Sequence, residues 1–137
     1  MLTLTPRLRT LLLAGLWLFA TLHLGQAYGH GSTEPQHGGV VKIVGEMSFE
    51  LVNGDNRIEL YLLDDGELMD TSTMTARIKI KSETPARYID LQPAGGNRFS
   101  AANVSLADGA KILALVTLAN GYSKIGANFT IGEPQSH

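Results

Sequence analysis

Hydrophobic and polar residues alternate along most of this chain with a period of two. Met47, Phe49 and Leu51 alternate with Ser48 and Glu50, the pattern of a strand with one buried face. After the turn residues Asn53-Gly54-Asp55-Asn56, one face of a second strand carries Ile58, Leu60 and Leu62. The two are expected to form a hairpin, with Gly54 supplying a positive φ. Asp64-Asp65-Gly66-Glu67 is a further turn. Ile78 and Ile80 then alternate with Arg77, Lys79 and Lys81, a strand with one strongly solvated face that is ended by Pro85. Strands are predicted over 88–91, 99–106, 111–118 and 122–131, separated by Pro93-Ala94-Gly95-Gly96-Asn97, Asp108-Gly109 and Asn120-Gly121.

No stretch sustains a helical period. Residues 111–119 (KILALVTLA) have helical propensity, yet their flanking turns favour a strand. Seven or eight short strands with frequent turns predict an all-β fold: an antiparallel β-sandwich, Ig-like, with a small closed barrel as runner-up. The expected core is Phe49, Leu51, Ile58, Leu60, Ile78, Ile80, Leu91, Phe99, Val116 and Phe129.

The N-terminus follows a different pattern. Arg7 and Arg9 precede the apolar run LLLAGLWLFATLHL, Leu11 to Leu24, which small residues follow. A spanning helix needs about 20 apolar residues. Residues 1–27 are therefore expected to be a cleaved signal peptide, and no stable membrane anchor is expected. Cleavage after Ala27 is the first choice and cleavage after Gly29 the second. Residues 28–38 are then a flexible Gly/His-rich segment, 39–131 the β-domain and 132–137 a polar tail.

Composition narrows the chemistry. The 137 residues, 44% hydrophobic and 18% charged, fit one ordinary globular domain. With no Cys, metal ligands are restricted to nitrogen, oxygen and thioether, and an exported chain of this kind points to a bacterial periplasm. The formal charge of −2 becomes −4 once a segment with two arginines and no acid is removed. That balance leaves no basic stripe for nucleic acid. Asp64, Asp65, Glu67 and Asp70 lack the spacing of an EF-hand loop and suit a solvated turn.

After the signal, three histidines remain: His30, His37 and His137, none in a predicted strand. Catalysis needs a rigid setting, so an enzyme is not expected. Metal binding tolerates a mobile start. Cleavage after Ala27 makes His30 the third residue, where the amine, two backbone amides and the imidazole can enclose one ion in a plane, a geometry of Cu(II) or Ni(II). Cleavage after Gly29 makes His30 the first residue, with its amine and ring as chelators and His37 as a third ligand. Met47 suits the core, while Met69 and Met74, near the acidic turn, are more open to a ligand role.

Several runs resemble a known β domain: His37-Gly38-Gly39-Val40-Val41, Ser48-Phe49-Glu50-Leu51-Val52, Leu60-Tyr61-Leu62 before an acidic turn, and Leu91 to Ala101 (LQPAGGNRFSA). In order and spacing they are similar to small periplasmic proteins of heavy-metal resistance systems and to the His-Gly-Gly-led β domain of efflux-pump periplasmic adaptors. The resemblance implies a metal-linked periplasmic domain, with copper the first ion and nickel and zinc open, and efflux components as partners. It implies His37 as a ligand and brings in Glu50, which by alternation points away from the face of Phe49, as a ligand or a solvated side chain. The chain has no long helical hairpin with which to bridge a pump, and no methionine-rich loops. A second function remains open, an interaction module whose Arg77, Lys79 and Lys81 face docks on an envelope protein.

Overall fold

The computed structural model describes residues 33–134. The expected signal peptide, His30 and His137 lie outside them.

The fold is all-β and antiparallel, as the alternation predicts. Nine strands, β1 (Val40–Val44), β2 (Met47–Gly54), β3 (Arg57–Asp64), β4 (Glu67–Leu68), β5 (Thr75–Ile80), β6 (Arg87–Pro93), β7 (Arg98–Ala102), β8 (Lys111–Thr117) and β9 (Lys124–Thr130), form one continuous sheet. Its order is β1-β2-β3-β7-β6-β5-β8-β9, with β4 paired to β3. The sheet folds on itself into two layers, nearly closing a barrel. Layer one holds β1, β2, β3, β4 and β7; layer two holds β6, β5, β8 and β9. Strand β6 makes the corner: residues 87–91 pair with β5, while Gln92 and Pro93 pair with β7. The sandwich and its runner-up are thus two descriptions of neighbouring geometries.

All ten residues expected in the core are buried, and Leu62, Ile89, Ile112, Ala114 and Ile131 join them. Each hydrophobic parity turns inward, which is why the alternation located the core. Residues 111–117 are strand, and their inward row is Ile112, Ala114 and Val116.

Three local features differ from expectation, and the turn after the β2–β3 hairpin is as predicted. The positive φ of the first hairpin sits at Asn56 (58°), while Gly54 ends β2 without one. A short amide side chain tolerates this conformation. The next turn has positive φ at both Asp65 (48°) and Gly66 (82°), the primed geometry that matches strand twist. Strand β7 stops at Ala102, short of the predicted residue 106. Beyond it, the Asn53 side chain takes the place of a strand partner: Nδ2 donates to the Leu106 carbonyl at 2.9 Å, and the Leu106 N–H donates to Oδ1 at 3.0 Å. Finally, β2 is not half-buried. Met47 through Leu51 are all buried, so Ser48 and Glu50 on the outer face are covered as well.

Candidate functional site: a clasped histidine on the outer face of layer one

What covers Glu50 is the segment 36–39, part of a stretch expected to be a flexible tail. Strand register sets up the site. Glu50 on β2 faces Val41 on β1 and Tyr61 on β3, and Tyr61 faces Arg98 on β7. These side chains form one row across the outer face. Glu50, 6% exposed, takes four donors. Its Oε1 accepts from the N–H of His37 at 2.7 Å and of Gly39 at 3.0 Å. Its Oε2 accepts from the Gln36 N–H at 3.0 Å and from His37 Nδ1 at 2.9 Å.

The two glycines make this possible for different reasons. Gly38 has φ +75°, which turns successive N–H groups toward one point, an anion-binding concavity. At Gly39 a Cβ would collide with the Leu51 carbonyl oxygen and would lie 2.8 Å from its carbon and 2.9 Å from Val52 Cγ2. Only glycine lets the chain approach β2 closely enough to reach Glu50.

His37 lies flat on Tyr61, with ring centroids 3.5 Å apart and planes 6° from parallel. The phenol hydroxyl donates to Glu59 Oε2 at 3.0 Å, and Arg98 Nη1 donates to Glu59 Oε1 at 3.1 Å. Burial first, then the neighbouring Glu59 carboxylate, raises the Tyr61 phenol above its ordinary value, partly offset by Arg98. Tyr61 is therefore neutral beneath the ring at any physiological pH.

An ionised carboxylate only accepts, so Nδ1 carries the proton facing Glu50. In the neutral imidazole Nε2 is then the nitrogen with the lone pair, and among the described residues it has no hydrogen-bond partner. The His37 side chain is 39% exposed. The result is an accessible imidazole nitrogen fixed in tautomer, direction and tilt.

Burial alone would raise the Glu50 carboxyl, but the His37 ring and the N–H groups of Gly39, His37 and Gln36 outweigh it and leave it lowered from 4.5. A lowered native value means stability that is fully present above the unfolded value and lost as pH falls through the native one. In the metal-free protein, the stability gap between wild type and Glu50→Gln is therefore expected to be widest above pH 4.5 and to shrink in acid. Denaturant melts across the acid range check this.

Of the other candidates, Met47 and Met74 are buried in the core, and Met69 packs against it. Asp64, Asp65, Glu67 and Asp70 are exposed. Among the described residues no three His, Asp or Glu gather into a group that could hold a metal. The structure brings His37 and Glu50 together and adds Tyr61, Glu59 and Arg98, which the sequence reading did not single out. Comparison with known protein families, with characterised proteins and with solved structures finds no match for the chain. The fold and site together define an all-β domain carrying a carboxylate-oriented histidine.

Proposed function

We propose that this chain is an exported, periplasmic metal-binding domain, with copper as its first ion, that serves metal resistance or efflux. The observation that supports this reading is the Nδ1–H···carboxylate bond of His37. A histidine that ligates a metal through one nitrogen characteristically gives its other N–H to a carboxylate, which fixes the tautomer and raises ligand basicity. Both Glu50 oxygens are engaged by four donors, so its role is to orient His37 rather than to touch the ion.

One imidazole does not make a site. The remaining nitrogens come from the chain preceding Thr33, where His30 sits seven positions before His37. Processing after Ala27 would give His30 the amine and amide companions that favour Cu(II) or Ni(II) over Zn(II), and copper heads the affinity order for nitrogen donors. The clasp holds the folded end of that segment against the sheet, and a span of seven positions is short enough for His30 and His37 to serve one ion.

The test is a titration of the mature protein, its first residue established by mass, with Cu(II), Ni(II) and Zn(II). His37→Ala is expected to weaken Cu(II) binding about tenfold or more and to remove one imidazole from the copper spectrum. A doubly substituted His30→Ala/His37→Ala protein that binds Cu(II) as tightly as wild type would overturn the reading.

A further inference from the structure

The outer face of layer two is uncovered, and its residues follow from register. Tyr88, Lys79, Leu113 and Asn128 form one row across β6, β5, β8 and β9. Asp90, Arg77, Leu115 and Gly126 form the next, and Thr75, Thr117 and Lys124 continue it. Tyr88 is 55% exposed. Arg77 Cζ lies 5.5 Å from its ring centroid and Lys79 Nζ 5.8 Å, so two cations flank one open aromatic ring. The Leu113 Cδ1 atom lies where a Cβ at Gly126 would be 2.9 Å away, leaving the far side of the face flat and apolar.

The second half of the described chain, which supplies this face, is opposite in charge to the first. Residues 33–70 hold nine acids and two bases, whereas residues 71–134 hold four acids and seven bases. Four of the nine acids, Glu46, Asp64, Asp65 and Glu67, gather at one end of layer one. There the Asp65 N–H donates to the Glu46 carbonyl at 3.0 Å, joining the β1–β2 turn to the turn of Asp64, Asp65 and Glu67. Leu68, 74% exposed, sits among them. Leu68 thus stands among carboxylates, while Tyr88 stands on a face that holds Arg77, Lys79, Lys81 and Lys124 and one acid, Asp90, ion-paired to Arg77 at 2.6 Å. The two poles are complementary in net charge.

We propose that the outer face of layer two is a docking surface for the acidic hairpin end of a second copy of this chain, with Leu68 of one copy against the Tyr88–Leu113 row of the next. The two poles are different surfaces, so the contact is heterologous and extends head to tail rather than closing as a twofold pair. Four strands of about seven residues give a footprint of roughly 400 Å², which suits a weak, charge-steered contact.

The test is analytical ultracentrifugation of the mature protein, run in chelator so that metal ions cannot drive association. Wild type at about 1 mM chain and about 20 mM salt is expected to exceed the dimer mass, and to return to monomer at about 0.5 M salt. Lys79→Gln/Lys81→Gln removes two cations from the basic face, and Asp64→Asn/Glu67→Gln removes two carboxylates from the acidic end. Each variant alone is expected to be monomeric. An equimolar mixture is expected to form a one-to-one pair and stop there, because each variant retains the pole the other lacks. That pairing also shows that both variants are folded. A wild type that stays monomeric throughout would overturn the proposal, and so would association that either variant leaves unchanged. A mixture of natively melting variants that fails to pair would overturn it as well.

Discussion

Glu50→Gln is expected to weaken Cu(II) binding by about 10–100-fold without removing a single nitrogen ligand. The substitution keeps shape and changes what the side chain can accept. The amide oxygen of Gln can still take the N–H groups of His37 and Gly39 that now reach Oε1. Its NH2 group, however, stands where Oε2 receives the Gln36 N–H and His37 Nδ1. Donor then faces donor. The inexpensive remedy is for His37 to move its proton to Nε2 and accept at Nδ1, which removes the lone pair that would meet the metal. The Gln36 bond is lost outright and the other three lose their charge assistance, so stability is expected to fall by about 2 kcal/mol. Isothermal titration with Cu(II), paired with nitrogen-15 shifts of the imidazole, reads both consequences. An unchanged affinity with an unchanged tautomer would show that Glu50 only anchors the chain.

Gly39→Ala is expected to lower stability by about 2–3 kcal/mol, roughly 10–20 °C in Tm for a domain of this size. The obstacle to the new methyl group is backbone: the carbonyl of Leu51, which lies in a strand paired on one side with Val40 and on the other with Leu60. That strand cannot shift without breaking two ladders, so the segment 36–39 must lift. Glu50 then loses its donors while remaining in a covered position, which is costly for a carboxylate. Gly38→Ala is the informative contrast. Its Cβ would meet nothing within 4 Å, and only the positive φ penalises it, by about 1 kcal/mol. Thermal melts of the two variants, with amide exchange at residues 36–39, separate steric exclusion from backbone strain. Equal losses in both would refute the distinction.

Periodicity made the fold legible because each strand from β2 onward, apart from the two exposed residues of β4, has one face in a single shared core. Residues 47–51 and 58–62 disclose their inward parity by alternation alone. The same reasoning misplaced Glu50. Alternation correctly put it opposite Phe49, but opposite the core is not the same as solvated when another segment lies on top. That segment, 36–39, looked mobile because glycine and polar residues dominate it; its order comes from main-chain N–H groups, which no side-chain pattern announces. The two adjacent glycines were the available signal, since one serves a turn and the other a close approach. Strand β1 escaped notice because Val40 to Val44 lie at an edge, where Lys42 and Ile43 are both exposed and alternation is lost. The stacking of Tyr61 on His37 depends on a register 24 residues apart in sequence, which is fixed only once β2 and β3 have paired.

The strand order also has a temporal side. The contacts that seat His37 on Glu50 close loops of only 11 to 14 residues, and β2 and β3 meet through a two-residue turn. Strand β3 gains its other neighbour, β7, only after β5 and β6 have intervened, and Asn53 finds Leu106 across 53 residues. Short loops lose less chain entropy on closing than long ones. The histidine can therefore be set in place by the first hairpins to form, while the completed sheet waits for its distant half to arrive.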